Sequence, residues 1–129
     1  MGGIDRGLLK TFAEESLDRL ERIAAELEQF PVAPEELEEV IGSLFRETHN
    51  LKGAANLVGA RSVEQLAHTL ENILDQLRNG AEQPDAQLIA ILDAGYRRIG
   101  DLLKNPQVLA FADATQDIAA IERHLSGRG

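Results

Sequence analysis

The sequence contains no cysteine and no tryptophan among its 129 residues, and only three histidines. Without cysteine there are no disulfides, no thiolate zinc sites and no cysteine nucleophiles. That fits a reducing compartment, and a cytoplasmic location is the expectation. Positive charge is also scarce: 13 Lys plus Arg stand against 22 Asp plus Glu, a net charge of −9. Such a balance argues against nucleic acid, whose phosphates need clustered Lys and Arg. No apolar run approaches the roughly 20 residues that span a bilayer, so membrane insertion is not expected. The start shows no secretory signal, and Arg6 stands where myristoylation requires Ser or Thr. Met1-Gly2-Gly3 reads as an expression remnant. The length corresponds to one domain, enough to bury a core without staples. With so little nucleophilic chemistry on offer, almost any reaction must run through His49, His68 or His124.

What is present is helical periodicity. Leu8, Leu9, Phe12, Leu17, Leu20, Ile23, Ala24 and Leu27 recur at three- and four-residue steps, predicting an amphipathic helix from about Ile4 to Gln29. Phe30-Pro31-Val32-Ala33-Pro34 ends it. Pro34 suits the first turn of a second helix, with Glu35 and Glu36 where acids favour a helix start. This helix runs through Val58 and stops at Gly59. Ser62-Val63-Glu64-Gln65 reads as a capping box opening a third helix, which Asn79-Gly80 closes. Asp85 caps a fourth, ending at Asn105-Pro106. Asp113, with Gln116 three residues on, caps a short fifth helix to about Leu125. Short connections favour antiparallel neighbours, so the expected fold is all-α: an up-down four-helix bundle with a short C-terminal helix. The domain is expected over residues 4–125, with 126–129 beginning a linker.

The second helix carries the informative stretch. At about 100° per residue, Leu37, Ile41, Leu44, Thr48, Leu51, Ala55 and Val58 share one arc, the predicted core face. His49 falls roughly 140° from its centre and points outward. Gly42, Phe45, Gly53 and Asn56 share its face, with Arg46 and Lys52 on the flanks. A glycine inside a helix costs about 1 kcal/mol relative to alanine. Glycines beside an outward imidazole clear a shallow dent where another molecule can approach. With Lys at i+3 and Arg at i−3, the arrangement reads as an anion site around the ring. Phe45, Arg46, Gly53 and Asn56 are then the surface a partner meets. On the third helix the core face is Val63, Leu66, Ala67, Leu70, Ile73, Leu74 and Leu77. Glu71 sits at the edge of that face, placed to reach His49 if the two helices pack antiparallel. A carboxylate on one imidazole nitrogen sets the tautomer and leaves the other with a free lone pair, as a nucleophile requires. His68 and His124 read as solvated surface residues.

Phe45-Arg46-x-x-His49-x-x-Lys52-Gly53-x-Ala55, followed by Leu66-Ala67-His68-x-Leu70-Glu71-Asn72-x-Leu74-Asp75, resembles the histidine phosphotransfer (HPt) domain of CheA-type chemotaxis kinases. The resemblance is dense over residues 41–80 and weaker elsewhere. It implies that His49 accepts the γ-phosphoryl group of ATP from a separate kinase domain of the same or a sister chain. Glu71 would orient the ring, Lys52 would stabilise the phosphoryl group with His68 as a further neighbour, and Gly53 would leave room for it. The phosphoryl group would then pass to an aspartate of a response-regulator receiver domain, which brings the Mg²⁺. No cofactor or metal of the domain's own is implied, and the isolated domain is expected to be a monomer that carries phosphoryl without catalysing its transfer alone. After Lys52-Gly53 the chain departs from the family pattern: relatives often have an aromatic where this sequence reads Leu57-Val58-Gly59-Ala60.

Two rival readings lie outside this chemistry. A di-iron bundle needs Glu-x-x-His on two helices, but Arg46, Gln65 and Ile121 precede the three histidines at that spacing. A purely structural interaction bundle explains the helices and the acidity yet gives no reason for glycines beside an outward histidine. Within the class, the same domain also serves motility and developmental phosphorelays.

Overall fold

Proline and glycine punctuate the described residues into five α-helices. A computed structural model describes residues 6–109 and 111–128; Met1, Gly2 and Gly3, read above as an expression remnant, lie outside the described residues with Ile4 and Asp5. The helices are α1 (Arg6–Leu27), α2 (Pro34–Val58), α3 (Arg61–Arg78), α4 (Ala86–Leu103) and α5 (Thr115–Ser126), with a 3-10 turn at Pro106–Val108. The first helix packs on α2 and α4, and α3 packs on α2 and α4; among the described residues the diagonal pairs do not touch backbone to backbone. This is the up-down ring of four, and α5 lies against α3 and α4. The α2–α3 pair is the most extensive.

The core is aliphatic because each helix carries one apolar stripe. Leu44, Leu51, Leu66, Leu70, Leu74, Leu88, Leu92 and Ile99 are fully buried. On α1 the buried stripe is Leu9, Phe12, Ala13, Ser16, Leu20, Ile23 and Leu27. Leu8 and Ala24 are exposed: each follows one residue after or before the stripe's spacing, about 100° off it. Ser16 takes the core position that periodicity among apolar residues alone passes over. One polar link crosses the middle of the bundle. Thr48 Oγ1 donates to Leu44 O at 2.7 Å and lies 2.6 Å from Tyr96 Oη on α4. Burial pushes the Tyr96 phenol well above its ordinary value, so it stays a hydroxyl and serves as donor in this pair.

The connections differ from the sequence reading at two caps. The residues closing α2 form a Schellman turn: Gly59 sits at φ 74°, its N–H donating to Asn56 O, while Ala60 N–H donates to Ala55 O. Ala60 is thereby already the cap of α3, with Glu64 N–H on its carbonyl. Ser62 is inside the helix rather than at its cap, and its buried hydroxyl has no hydrogen-bond partner among the described residues. The capping box predicted there does not form, because the turn delivers the chain into α3 two residues early. At α5 the Asp113 carboxylate accepts from Thr115 N and Thr115 Oγ1, at 2.9 and 2.6 Å, rather than bracketing Gln116. Asp85 does cap α4, accepting from Leu88 N at 2.9 Å. Hydrogen bonds from Arg128 and from that amide hold its carboxyl down to about 2. Arg128 also bonds Glu82, tying the end of α5 to the α3–α4 connection.

Candidate functional site

Antiparallel packing turns the outer face of α2 and one edge of α3 into a single surface. His49 projects from α2 with 61% of its side chain exposed. Across the α2–α3 seam, Glu71 is almost buried, and its two oxygens are divided between two α2 residues. Oε2 lies 2.6 Å from His49 Nδ1, and Oε1 accepts from Lys52 Nζ at 2.8 Å. The spacing explains the sharing: His49 and Lys52 are three apart on α2, so both side chains lean toward the same point on α3. Burial by itself would raise the Glu71 pKa. Hydrogen bonds and charge from Lys52 and His49 outweigh it, and the carboxyl is held below its ordinary value. At neutral pH Glu71 is therefore a carboxylate, an acceptor only. Nδ1 of His49 must then be the donor, which leaves Nε2 facing solvent with its lone pair free when the ring is neutral.

One turn earlier on α2, Phe45 lies parallel to the His49 ring, with centroids 6.2 Å apart and planes within 5°. The Arg78 guanidinium lies 4.5 Å from the Phe45 ring centroid, within cation–π range. Arg78 was not among the residues expected at the site. Its signal was present: it stands seven residues, two helical turns, beyond Glu71 and so returns to the same edge of α3, while Phe45 is one turn back on the antiparallel partner. Phe45, expected as a partner contact, is half-buried between Arg78 and His49.

The two glycines of this face differ. A Cβ on Gly42 would meet Arg46 Nη1 at 3.4 Å, so that position is covered by this chain's own arginine. A Cβ on Gly53 would meet nothing within 4 Å. The open space one turn past His49 is a property of Gly53 alone, and Asn56 is exposed beside it. Gly53→Ala should therefore stabilise the fold by roughly 1 kcal/mol, the helix-propensity gain without a clash; urea midpoints of the two proteins measure it, and a destabilised variant would contradict an open site. Arg46 is exposed and forms no ion pair among the described residues, whereas Lys52 is engaged by Glu71. Glu47 faces the other way and joins Arg19 and Arg22 of α1 at 2.6 and 3.2 Å.

His68 is exposed one turn before Glu71 and makes no hydrogen bond or ion pair with His49 among the described residues. His124 lies far along the chain on α5, exposed, with Nδ1 donating to Ala120 O at 2.7 Å. Among the described residues, no three His, Asp or Glu side chains gather to hold a metal ion, and no helix is long and apolar enough to cross a membrane.

The described bundle thus presents one exposed imidazole oriented from behind by a buried carboxylate, the geometry of an activated nitrogen nucleophile. The chain belongs to the Hpt domain family, whose model matches residues 7–105. It is similar to the chemotaxis protein CheA of Bacillus subtilis, 26% identical over 121 residues covering 94% of this chain and 18% of that protein. It is also similar to the gliding motility regulatory protein of Myxococcus xanthus, 31% identical over 91 residues, 70% of this chain and 12% of that protein. The chain thus spans less than a fifth of the length of these curated relatives. In structure it is similar to the phosphorylated P1 domain of CheA3, solved in complex with CheY6 from R. sphaeroides. The TM-score is 0.74, with 22% identity, and the match covers 93% of this chain and 94% of that one. At that identity the likeness establishes the fold.

Proposed function

We propose that this domain is the phosphoryl carrier of a CheA-type two-component kinase, with His49 as the acceptor. The observation that carries the reading is the pairing of Nδ1 with the Glu71 carboxylate while Nε2 is left open to solvent. In the inward step, the Nε2 lone pair attacks the γ-phosphorus of ATP held by a kinase domain. The bond from phosphorus to the bridging oxygen breaks, and its electrons leave with ADP. The ring then carries phosphoryl on Nε2 and its proton on Nδ1, and the positive charge that develops is met by Glu71. No proton has to leave the ring before attack. Lys52 uses one of its three donors on Glu71, which leaves others for the phosphoryl oxygens, and His68 borders the same patch. In the outward step a receiver aspartate takes the phosphoryl group, with the Mg²⁺ held on the receiver. The carrier works in the cytoplasm, where the kinase domain has access to ATP.

The reading is tested by incubating the protein with a CheA-type kinase core, ATP and Mg²⁺. One acid-labile, base-stable label should appear, and peptide mapping should assign it to His49. Label mapped to His68, His124 or a carboxylate would overturn the assignment.

A further inference from the structure

The outer face of α2 is divided by charge. Its first turns carry Glu35, Glu36, Glu38 and Glu39, but no Asp or Glu occurs between Glu47 and Glu64. Glu47 is itself covered by two arginines of α1. In a chain of net charge −9, the half of α2 that bears His49 is therefore free of exposed, unpaired carboxylate. On it stands Leu57, 87% exposed in the last turn, although burying a leucine is worth about 1.5–3 kcal/mol. Leu57 is eight residues beyond His49, about 12 Å along the axis and about 80° round it, on the side away from Glu71. The open space beside Gly53 lies between the two.

We propose that Leu57 is the apolar anchor of the surface on which the receiver domain docks, with Gly53 as the gap that admits it. This rests on the phosphoryl-carrier reading of His49. The argument is one of reach and charge. A protein that brings a carboxylate to Nε2 must lie over His49, and an interface of standard size covers about 800 Å² per partner, a disc of about 16 Å radius. Leu57 falls inside that disc. The acceptor's centre is a group of carboxylates around Mg²⁺, which the Glu35–Glu39 half of α2 repels and the acid-free half does not. Docking over His49 and Leu57 brings the incoming carboxylate oxygen to the phosphorus. The oxygen–phosphorus bond forms as the Nε2–phosphorus bond breaks, its electron pair returning to Nε2 and leaving a neutral imidazole and an acyl phosphate.

The experiment loads His49 with phosphoramidate, a donor too small to need a docking surface. It then follows loss of the label to a CheY-type receiver, chosen because it drains the unaltered protein in the presence of Mg²⁺. Leu57→Asp should raise the receiver concentration needed for half-maximal transfer about tenfold, the loss of one buried apolar contact. The rate at saturating receiver and the phosphoramidate loading rate should not change. Leu57→Met should restore transfer. Unchanged receiver dependence in Leu57→Asp would overturn the proposal. So would an effect seen only on loading by the kinase domain, which would assign Leu57 to that partner instead. Failure of phosphoramidate to label His49 in the unaltered protein would overturn the carrier reading itself, an outcome separate from these.

Discussion

Glu71→Gln slows phosphorylation of His49 by about 10- to 100-fold, the scale of loss when a carboxylate orienting a metal-bound imidazole is removed, whereas His49→Gln removes the label altogether. The amide is nearly isosteric and its oxygen still accepts from Nδ1, so the ring keeps a partner. What is lost is charge. A hydrogen bond to a carboxylate is roughly twice as strong as a neutral one, and the difference grows as Nε2 attack puts positive charge on the ring. Lys52 also loses its acceptor at 2.8 Å. Single-turnover loading with a kinase core measures the rate, and far-UV circular dichroism checks that the bundle is intact. His68→Gln is the control and should load normally, since the structure gives it no bond to the ring. A Glu71→Gln rate equal to the unaltered rate would mean that the carboxylate does not tune His49.

The same substitution carries a pH signature in stability. The Glu71 carboxyl is held below its ordinary value in the folded protein, so its contribution is fully present above the ordinary carboxylate range. It is lost as the pH falls through the lowered folded value. The stability difference between the unaltered protein and Glu71→Gln should therefore be widest near neutral pH and close in acid. Urea midpoints across that range show it; a gap that widens on acidification would contradict the sign.

Leu70→Ala destabilises the bundle by about 2–5 kcal/mol, a large part of the roughly 5–15 kcal/mol that holds such a domain together. Leu70 is fully buried on α3 and reaches α4 at Gly95. A Cβ on Gly95 would meet the Leu70 side chain at 2.6, 3.2 and 3.3 Å. That methyl cannot be accommodated by a small rotation, because Leu70 has core on every side. Gly95→Ala alone should therefore cost about 1–3 kcal/mol by overpacking, less the helix-propensity gain of about 1 kcal/mol. In the Leu70→Ala background the clash disappears, and the same Gly95→Ala should become neutral or stabilising. A double-mutant cycle by urea unfolding reads this coupling. Additive effects would show that α3 and α4 approach less closely at this point.

The core faces of α2 and α3 were legible because each is set by one helix's own period: Leu44, Leu51, Leu66 and Leu74 stand where 3.6 residues per turn put them. The outward direction of His49 came from the same arithmetic. Arg78 was harder to see, since its place over Phe45 depends on register between two antiparallel helices. Ser62 misled because its capping pattern is local, while the turn through Gly59 and Ala60 acts over both helices it joins. Gly42 and Gly53 look alike on a helical wheel, and only the path of the Arg46 side chain separates a covered glycine from an open one.

By itself, then, the sequence determined the helices, most of the buried faces of α2 and α3, the exclusion of cysteine chemistry and the three histidines through which a reaction can run. Those properties follow from composition and from periodicity within single helices. Tertiary structure decided which histidine has a carboxylate behind it, that Glu71 is shared with Lys52, that Arg78 backs Phe45, and that the space past His49 is open. These are contacts between helices. Their distances follow from the register in which α2 and α3 pack, a quantity that no single helix contains.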